Sequence, residues 1–202
     1  TYRPLRVLDQ GAYGKVTLFQ NTTSKETLAV KQILSQDNQH QKNALCNEIS
    51  LLQHLDHPSV VKLHNFQKNP ITELQKFQLS GGNSTLDFFA LEFAEYGSFE
   101  QAFGKKILTE QILKFYFWQA LKALEYIHGQ GCWHLDVKPC NLLLGKSLDL
   151  KLADFGCAIK GPVTAGTPER VTVKSMSGTQ GFRAPEVQEG AEYCPVKADI
   201  FS

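Results

Sequence analysis

The sequence predicts an α+β fold in two parts, a five-stranded antiparallel sheet carrying one helix and then a mainly helical part. Three observations carry this reading. Apolar and β-branched residues alternate through "RPLRVLD", "GKVTLFQN" and "ETLAVKQIL", interrupted by a glycine-bearing turn and by "TTSK", which is the pattern of an antiparallel meander. The period changes between Gln39 and Asp56, where Leu45, Ile49 and Leu52 share one face of a helix that stops before Pro58. A stronger helical pattern runs from Thr109 to His128, with Leu113, Phe117, Ala120, Leu121, Leu124 and Ile127 on one side and Gly129 and Gly131 ending it.

The other elements fall into place around these. "SVVKLHNF" and "LDFFALEF" read as the fourth and fifth strands. The polar segment joining them, which includes an insertion at 67–85, is longer than an ordinary connection. Beyond the second helix, "LLL" and "LKLAD" flank "GKSLD" as a short hairpin. The stretch from Phe155 to Glu186 is rich in Gly, Pro, Ser and Thr and reads as a long functional loop or a linker. A sheet-bearing part followed by a helical part suggests two lobes with a cleft between them.

Composition narrows the function classes. The chain has 202 residues, 42% of them hydrophobic and 20% charged, which is a globular composition with a real core. Twenty-one Lys+Arg against twenty Asp+Glu leave a formal charge of +1, without the basic footprint of a general nucleic-acid or membrane-surface binder. The sequence holds no apolar run of membrane-spanning length, and "TYRPLRVLDQ" has no signal-peptide core, so a cytoplasmic or nuclear address is the expectation. The five cysteines form no C-x-x-C pair and read as free thiols.

The residues that could carry chemistry lie in four places. In "VLDQGAYGKV", Gly11 and Gly14 let the backbone approach a ligand and turn N–H groups toward it, as a phosphate cradle needs; glycines in a hairpin turn also serve geometry alone. Lys31, in the apolar strand "LAVK", is an expensive place for an ammonium unless an anion meets it, and Glu48 on the following helix could supply that anion. Asp136, Lys138 and Asn141 cluster in "HLDVKPCN". With Asp154 of "LADFG" they offer hard oxygen ligands and proton acceptors of the kind that suit Mg²⁺ shared with phosphates.

The order of these motifs, Gly-x-x-Gly-x-Val, Ala-Val-Lys, Glu, His-Leu-Asp-x-Lys-x-x-Asn, Asp-Phe-Gly and Ala-Pro-Glu, resembles that of the eukaryotic protein kinases over essentially the whole chain. The resemblance implies one bilobal kinase domain over 1–202, with an N-lobe at 1–93 and a C-lobe starting at 94, and it implies ATP and Mg²⁺ as cofactors. It places the nucleotide against Leu8, Asp9, Gly11, Ala12, Tyr13, Gly14, Val16, Ala29, Lys31, Leu143 and the backbones of Glu92 and Ala94, with Leu91 as gatekeeper. Glu48 would orient Lys31, Asn141 and Asp154 would hold Mg²⁺, Asp136 would accept the substrate hydroxyl proton, and Lys138 would neutralise the phosphoryl group in transfer. Thr179 and Glu186 belong to the substrate and activation segment. His134, Phe155 and Leu52 would form a packing column.

"DVKPCN" and "GTQGFRAPE" resemble the serine/threonine branch, and "HLDVKPCN", "DFGC" and "PVKADIFS" resemble the Mos group, which acts on a MAP kinase kinase. The alternatives are a pseudokinase serving as a scaffold and a viral serine/threonine kinase. Departures from the family pattern include Asp9 at the place of the first phosphate-loop glycine, the 67–85 insertion, and Leu135 where many kinases carry an arginine. Such a domain is also expected to continue beyond Ser202 through the rest of its C-lobe, and without those helices apolar surface would be left bare.

Overall fold

The structure, a computed structural model, describes residues 1–11, 14–32, 39–66, 88–104, 109–161 and 171–202. The 67–85 insertion, Ala12 and Tyr13 lie outside the described residues. Two compact units form, one from Thr1–Gln53 and Lys62–Phe93, the other from His54–Val61 and Ala94–Ser202.

The first unit is the predicted antiparallel sheet. Strands β1 (Tyr2–Gly11), β2 (Gly14–Asn21), β3 (Thr27–Gln32), β4 (Leu63–Phe66) and β5 (Phe88–Glu92) lie in the order β1-β2-β3-β5-β4. Because side chains alternate along a strand, register assigns the faces. Phe19, Leu28, Val30, Phe88 and Ala90 form a buried cluster on one face. The pairings Val16↔Lys31↔Phe89 and Ala29↔Leu91 set those residues together on the other. The β2–β3 turn closes on Asn21, whose Oδ1 accepts the N–H groups of Thr23 and Ser24. Helix α1 (Gln39–Leu52) buries Leu45, Glu48, Leu51 and Leu52, whereas Ile49, expected on the core face, is only half-buried. A buried carboxylate has displaced an aliphatic residue from the stripe because Lys31 meets it.

One part of the predicted fourth strand belongs elsewhere. Strand β4 starts at Leu63, and Ser59–Val61 instead join the second unit, where Val61 N–H donates to Leu152 O at 2.9 Å and Leu152 N–H donates to Ser59 O at 2.9 Å. A short β-branched run announces a pairing in its sequence without naming the partner.

In the second unit, α2 (Phe99–Gly104) and α3 (Glu110–Gly129) precede β6 (Cys132–Trp133), β7 (Leu142–Leu144), β8 (Leu150–Leu152) and β9 (Ile159–Lys160), and α4 (Pro185–Gln188) and α5 (Pro195–Phe201) follow. β7 and β8 are the predicted hairpin, and β6 pairs with β9. Thr109 caps α3, its hydroxyl accepting from Ile112 N–H. The buried face of α3 differs from the expected one: Tyr116, Gln119, Ala123, Leu124 and Ile127 are inside, while Phe117 is 66% exposed. The helix is apolar on more than one side, so two phases fit the pattern. Gln119 decides between them, its side-chain oxygen taking Leu150 N–H at 2.9 Å. Among the described residues, no helix is long and apolar enough to cross a membrane.

Candidate active site

The first unit holds the glycine turn and the buried lysine. Gly11 pairs with Gly14 at the end of the β1–β2 ladder, and Gly14 sits at φ 126°, a conformation closed to residues with a side chain. Asp9 faces Val16 across this ladder and caps the next residue, its Oδ1 accepting Gln10 N–H at 2.8 Å. Leu8 lies at the β-bulge between Val7 and Asp9. Lys31 Nζ donates to Glu48 Oε2 at 2.7 Å. With side chains only 12% and 1% exposed, each charge answers the desolvation of the other. Val16 and Ala29 share the Lys31 face of the sheet. Glu92 at the end of β5 donates its N–H to Lys62 O. Ala94 begins the longer segment of the second unit, its carbonyl accepting Gly97 N–H.

The second unit gathers the charged loop residues around one carboxylate. Asp136 Oδ1 accepts both the N–H and the hydroxyl of Thr179, each at 2.7 Å. Its Oδ2 accepts Lys138 Nζ at 2.7 Å and Asn141 Nδ2 at 3.2 Å. Lys138 also donates to the Thr179 hydroxyl at 2.5 Å, so Thr179, 43 residues after Asp136 in sequence, closes a three-way link. Burial by itself would lower the pKa of Lys138, but the hydrogen bond and charge of Asp136, helped by Asp154, outweigh it and hold the ammonium above its ordinary value. Lys138 is therefore a positive charge held in place beside Asp136.

Asn141 donates through Nδ2 to the carbonyl and carboxylate of Asp136, which turns its amide oxygen the other way. Its backbone carbonyl accepts Ala153 N–H at 2.9 Å, tying it to the residue before Asp154. Asp154 itself adopts φ 64°, ψ 73°, a left-handed conformation that costs about 1–3 kcal/mol and is held at the entrance to the turn of Phe155–Cys157. Among the described residues no cluster of three His, Cys, Asp or Glu side chains could cage an ion. A pair of hard oxygen donors, an amide and a carboxylate, fits Mg²⁺, which takes few protein ligands and fills its octahedron with water and phosphate oxygens.

The loop that carries Asp136, just beyond β6, is anchored by α5. Asp199, in α5 and 2% exposed, accepts His134 N–H at 2.9 Å and Leu135 N–H at 2.7 Å, and pairs with His128 Nε2 at 2.8 Å. The two amides fix Leu135 at φ 59°. His134 has its own assignment: its Nδ1 accepts Asp136 N–H, so the proton resides on Nε2, which donates to Ala153 O at 3.0 Å. Both ring nitrogens are committed, and the ring stands edge-on to Phe155 with centroids 4.9 Å apart. His134 is a structural post of the second unit; Leu52 is buried in the first.

Leu135 itself is buried with Trp133, Ala184, Val187, Tyr193 and Ala198, and Val171 and Val173 pack on the same cluster. Glu186 lies in the first turn of α4, behind Pro185 at its first position. Leu143 sits in β7. The sequence reading missed His128 as a partner of Asp199. A histidine in the last turn of a helix was the available signal, but nothing in the sequence joins residues 71 apart.

The first unit thus carries a buried lysine–glutamate pair and paired glycines, and the second an aspartate hub linked to a lysine, an asparagine and a threonine. The protein kinase domain family matches residues 2–202, and the chain belongs to it. Among its relatives, CBL-interacting protein kinase 28 of Oryza sativa subsp. japonica is 31% identical over 199 residues, covering 98% of this chain and 42% of the relative. Mitogen-activated protein kinase 4a of Physcomitrium patens is 32% identical over 200 residues, 98% of this chain and 49% of the relative. CBL-interacting serine/threonine-protein kinase 20 of Arabidopsis thaliana is 32% identical over 201 residues, again 98% of this chain and 42% of the relative. The chain thus spans less than half the length of these curated relatives.

Proposed function

We propose that this domain, in its full-length protein, transfers the γ-phosphate of ATP to serine or threonine hydroxyls of a protein substrate. The observation that carries the reading is the Asp136 hub, a carboxylate fixed by Thr179, Lys138 and Asn141. Asp136 orients the substrate hydroxyl and takes its proton as the oxygen–phosphorus bond forms and the bond to the ADP oxygen breaks. Lys138, held charged, offsets the negative charge spread over the phosphoryl oxygens. Lys31, fixed by Glu48, would hold the nucleotide phosphates together with Gly11 and Gly14, and Asn141 and Asp154 would hold Mg²⁺. That ion would supply charge neutralisation and alignment of the phosphates.

The presence of every one of these groups favours an active enzyme over a pseudokinase scaffold. The similarity to a serine/threonine-protein kinase of Arabidopsis thaliana supports the same specificity here. The finer reading, a Mos-group kinase in the cytoplasm that acts on a MAP kinase kinase, rests on "HLDVKPCN", "DFGC" and "PVKADIFS". Transfer of labelled phosphate to a general protein substrate by the full-length protein, set beside Asp154→Ala, tests the main reading. The variant is expected to lose on the order of a hundredfold or more in rate. Equal transfer by both, or none by either while ATP still binds, would overturn it.

Control by phosphorylation is expected to be weak at one point. An arginine at position 135 could pair with a phosphate on the activation segment, whereas Leu135 packs with Val171 and Val173 instead. Residues 173 and 179 of the segment are held by other contacts: Val173 and Tyr193 exchange backbone hydrogen bonds of 2.9 and 3.0 Å, and Thr179 is bonded to Asp136. Arg183 is occupied with the carbonyl of Gly178. Replacing Thr172, Ser175 and Ser177 together by alanine should leave kcat/KM within about threefold of the parent value. Loss of activity with folding and ATP binding intact would contradict this.

A further inference from the structure

Lys31 has a second neighbour besides Glu48. Antiparallel pairing sets Phe89 of β5 directly across from Lys31 of β3, and Nζ lies over the Phe89 ring, 6.0 Å from its centroid. Phe89 is fully buried. Its neighbour Phe88 points to the opposite face, into the cluster with Phe19, Leu28, Val30 and Ala90. The two adjacent phenylalanines therefore serve different faces, and Phe89 is the one set beside Lys31.

We propose that Phe89 is a positioning residue for Lys31, its ring face holding the ammonium beside Glu48 by cation–π attraction. A lysine stem is flexible, and a carboxylate fixes its charge from one direction. An aliphatic residue at 89 would bury similar area but present no negative face to the ammonium, and the attraction gains strength where water is excluded, as it is beside Glu48. Phe89 thus supplies a weaker restraint of a different kind from that of Glu48. The inference rests on the reading of Lys31 as the phosphate-binding lysine, but its geometry is independent of that role.

The test uses the full-length protein carrying phenylalanines of increasing fluorination at position 89, which weaken the ring's negative face at nearly constant shape. Two quantities are read: the rate of Lys31 modification by an amine-directed sulfonyl fluoride at fixed pH without nucleotide, and KM for ATP against kcat. Modification should rise stepwise with fluorine number, by roughly threefold to tenfold across the series, because a less stabilised ammonium yields the reactive free amine more readily. KM should rise in parallel with kcat little changed, and Phe89→Leu should fall with the most fluorinated member. Modification rates that stay flat, or that follow melting temperature rather than fluorine number, would overturn the proposal. A stepwise modification rate in a protein that transfers no phosphate, the unmodified one included, would support the positioning role and defeat the kinase reading.

Discussion

In the full-length protein, Asp136→Asn is expected to lower kcat about a thousandfold, the range removed with a positioned general base. The substitution keeps the shape of the side chain and removes its charge, and the hydrogen-bond pattern turns the result against catalysis twice over. One carboxylate oxygen receives two donors from Thr179 and the other receives Lys138 and Asn141. Whichever way an amide is turned, its NH₂ faces two of those donors, so the loop loses its centre as well as its base. KM for ATP should move far less, because the groups assigned to the phosphates, Gly11, Gly14 and Lys31, are in the other unit. Initial rates at saturating ATP decide the matter, and a kcat within tenfold of the parent would remove Asp136 from the role of base.

Asp199→Ala is expected to destabilise the domain by about 3–5 kcal/mol. The loss leaves the N–H groups of His134 and Leu135 without their acceptor in a buried site and strips His128 of its partner. Leu135 would also lose the restraint that keeps it in a left-handed conformation that a leucine adopts only under constraint. For a domain of this size the midpoint of thermal unfolding should fall by roughly 10–15 °C. Calorimetry of the full-length protein measures this directly, and a shift under about 2 °C would mean that the backbone there holds itself.

Much of this could be read before any coordinates, and the parts that could not share one cause. Periodicity located the five strands, both long helices and the β7–β8 hairpin, since each depends on neighbours in sequence. The order of the motifs singled out Lys31, Glu48, Asp136, Asn141 and Asp154 as chemically meaningful. What the sequence left open was always a choice of distant partner. The phase of α3 depended on a bond from Gln119 to Leu150, the fate of Ser59–Val61 on Leu152, and the pairing of His128 on Asp199. Phe89 looked like any strand phenylalanine until β5 was placed beside β3.

The crossing of residues 54–61 into the second unit also bears on how the chain is made. Val60 and Val61 are buried there, 2% and 1% exposed, against a strand at Leu150–Leu152. On a ribosome adding about 5–20 residues per second, the partner of Val61 emerges roughly 5–20 seconds later. During that interval the sheet of the first unit can close through β5 while these two valines remain bare. A nascent chain halted between Glu92 and Leu150 would therefore present a folded sheet with an unsheltered apolar tag between α1 and β4, a natural point for a chaperone to hold.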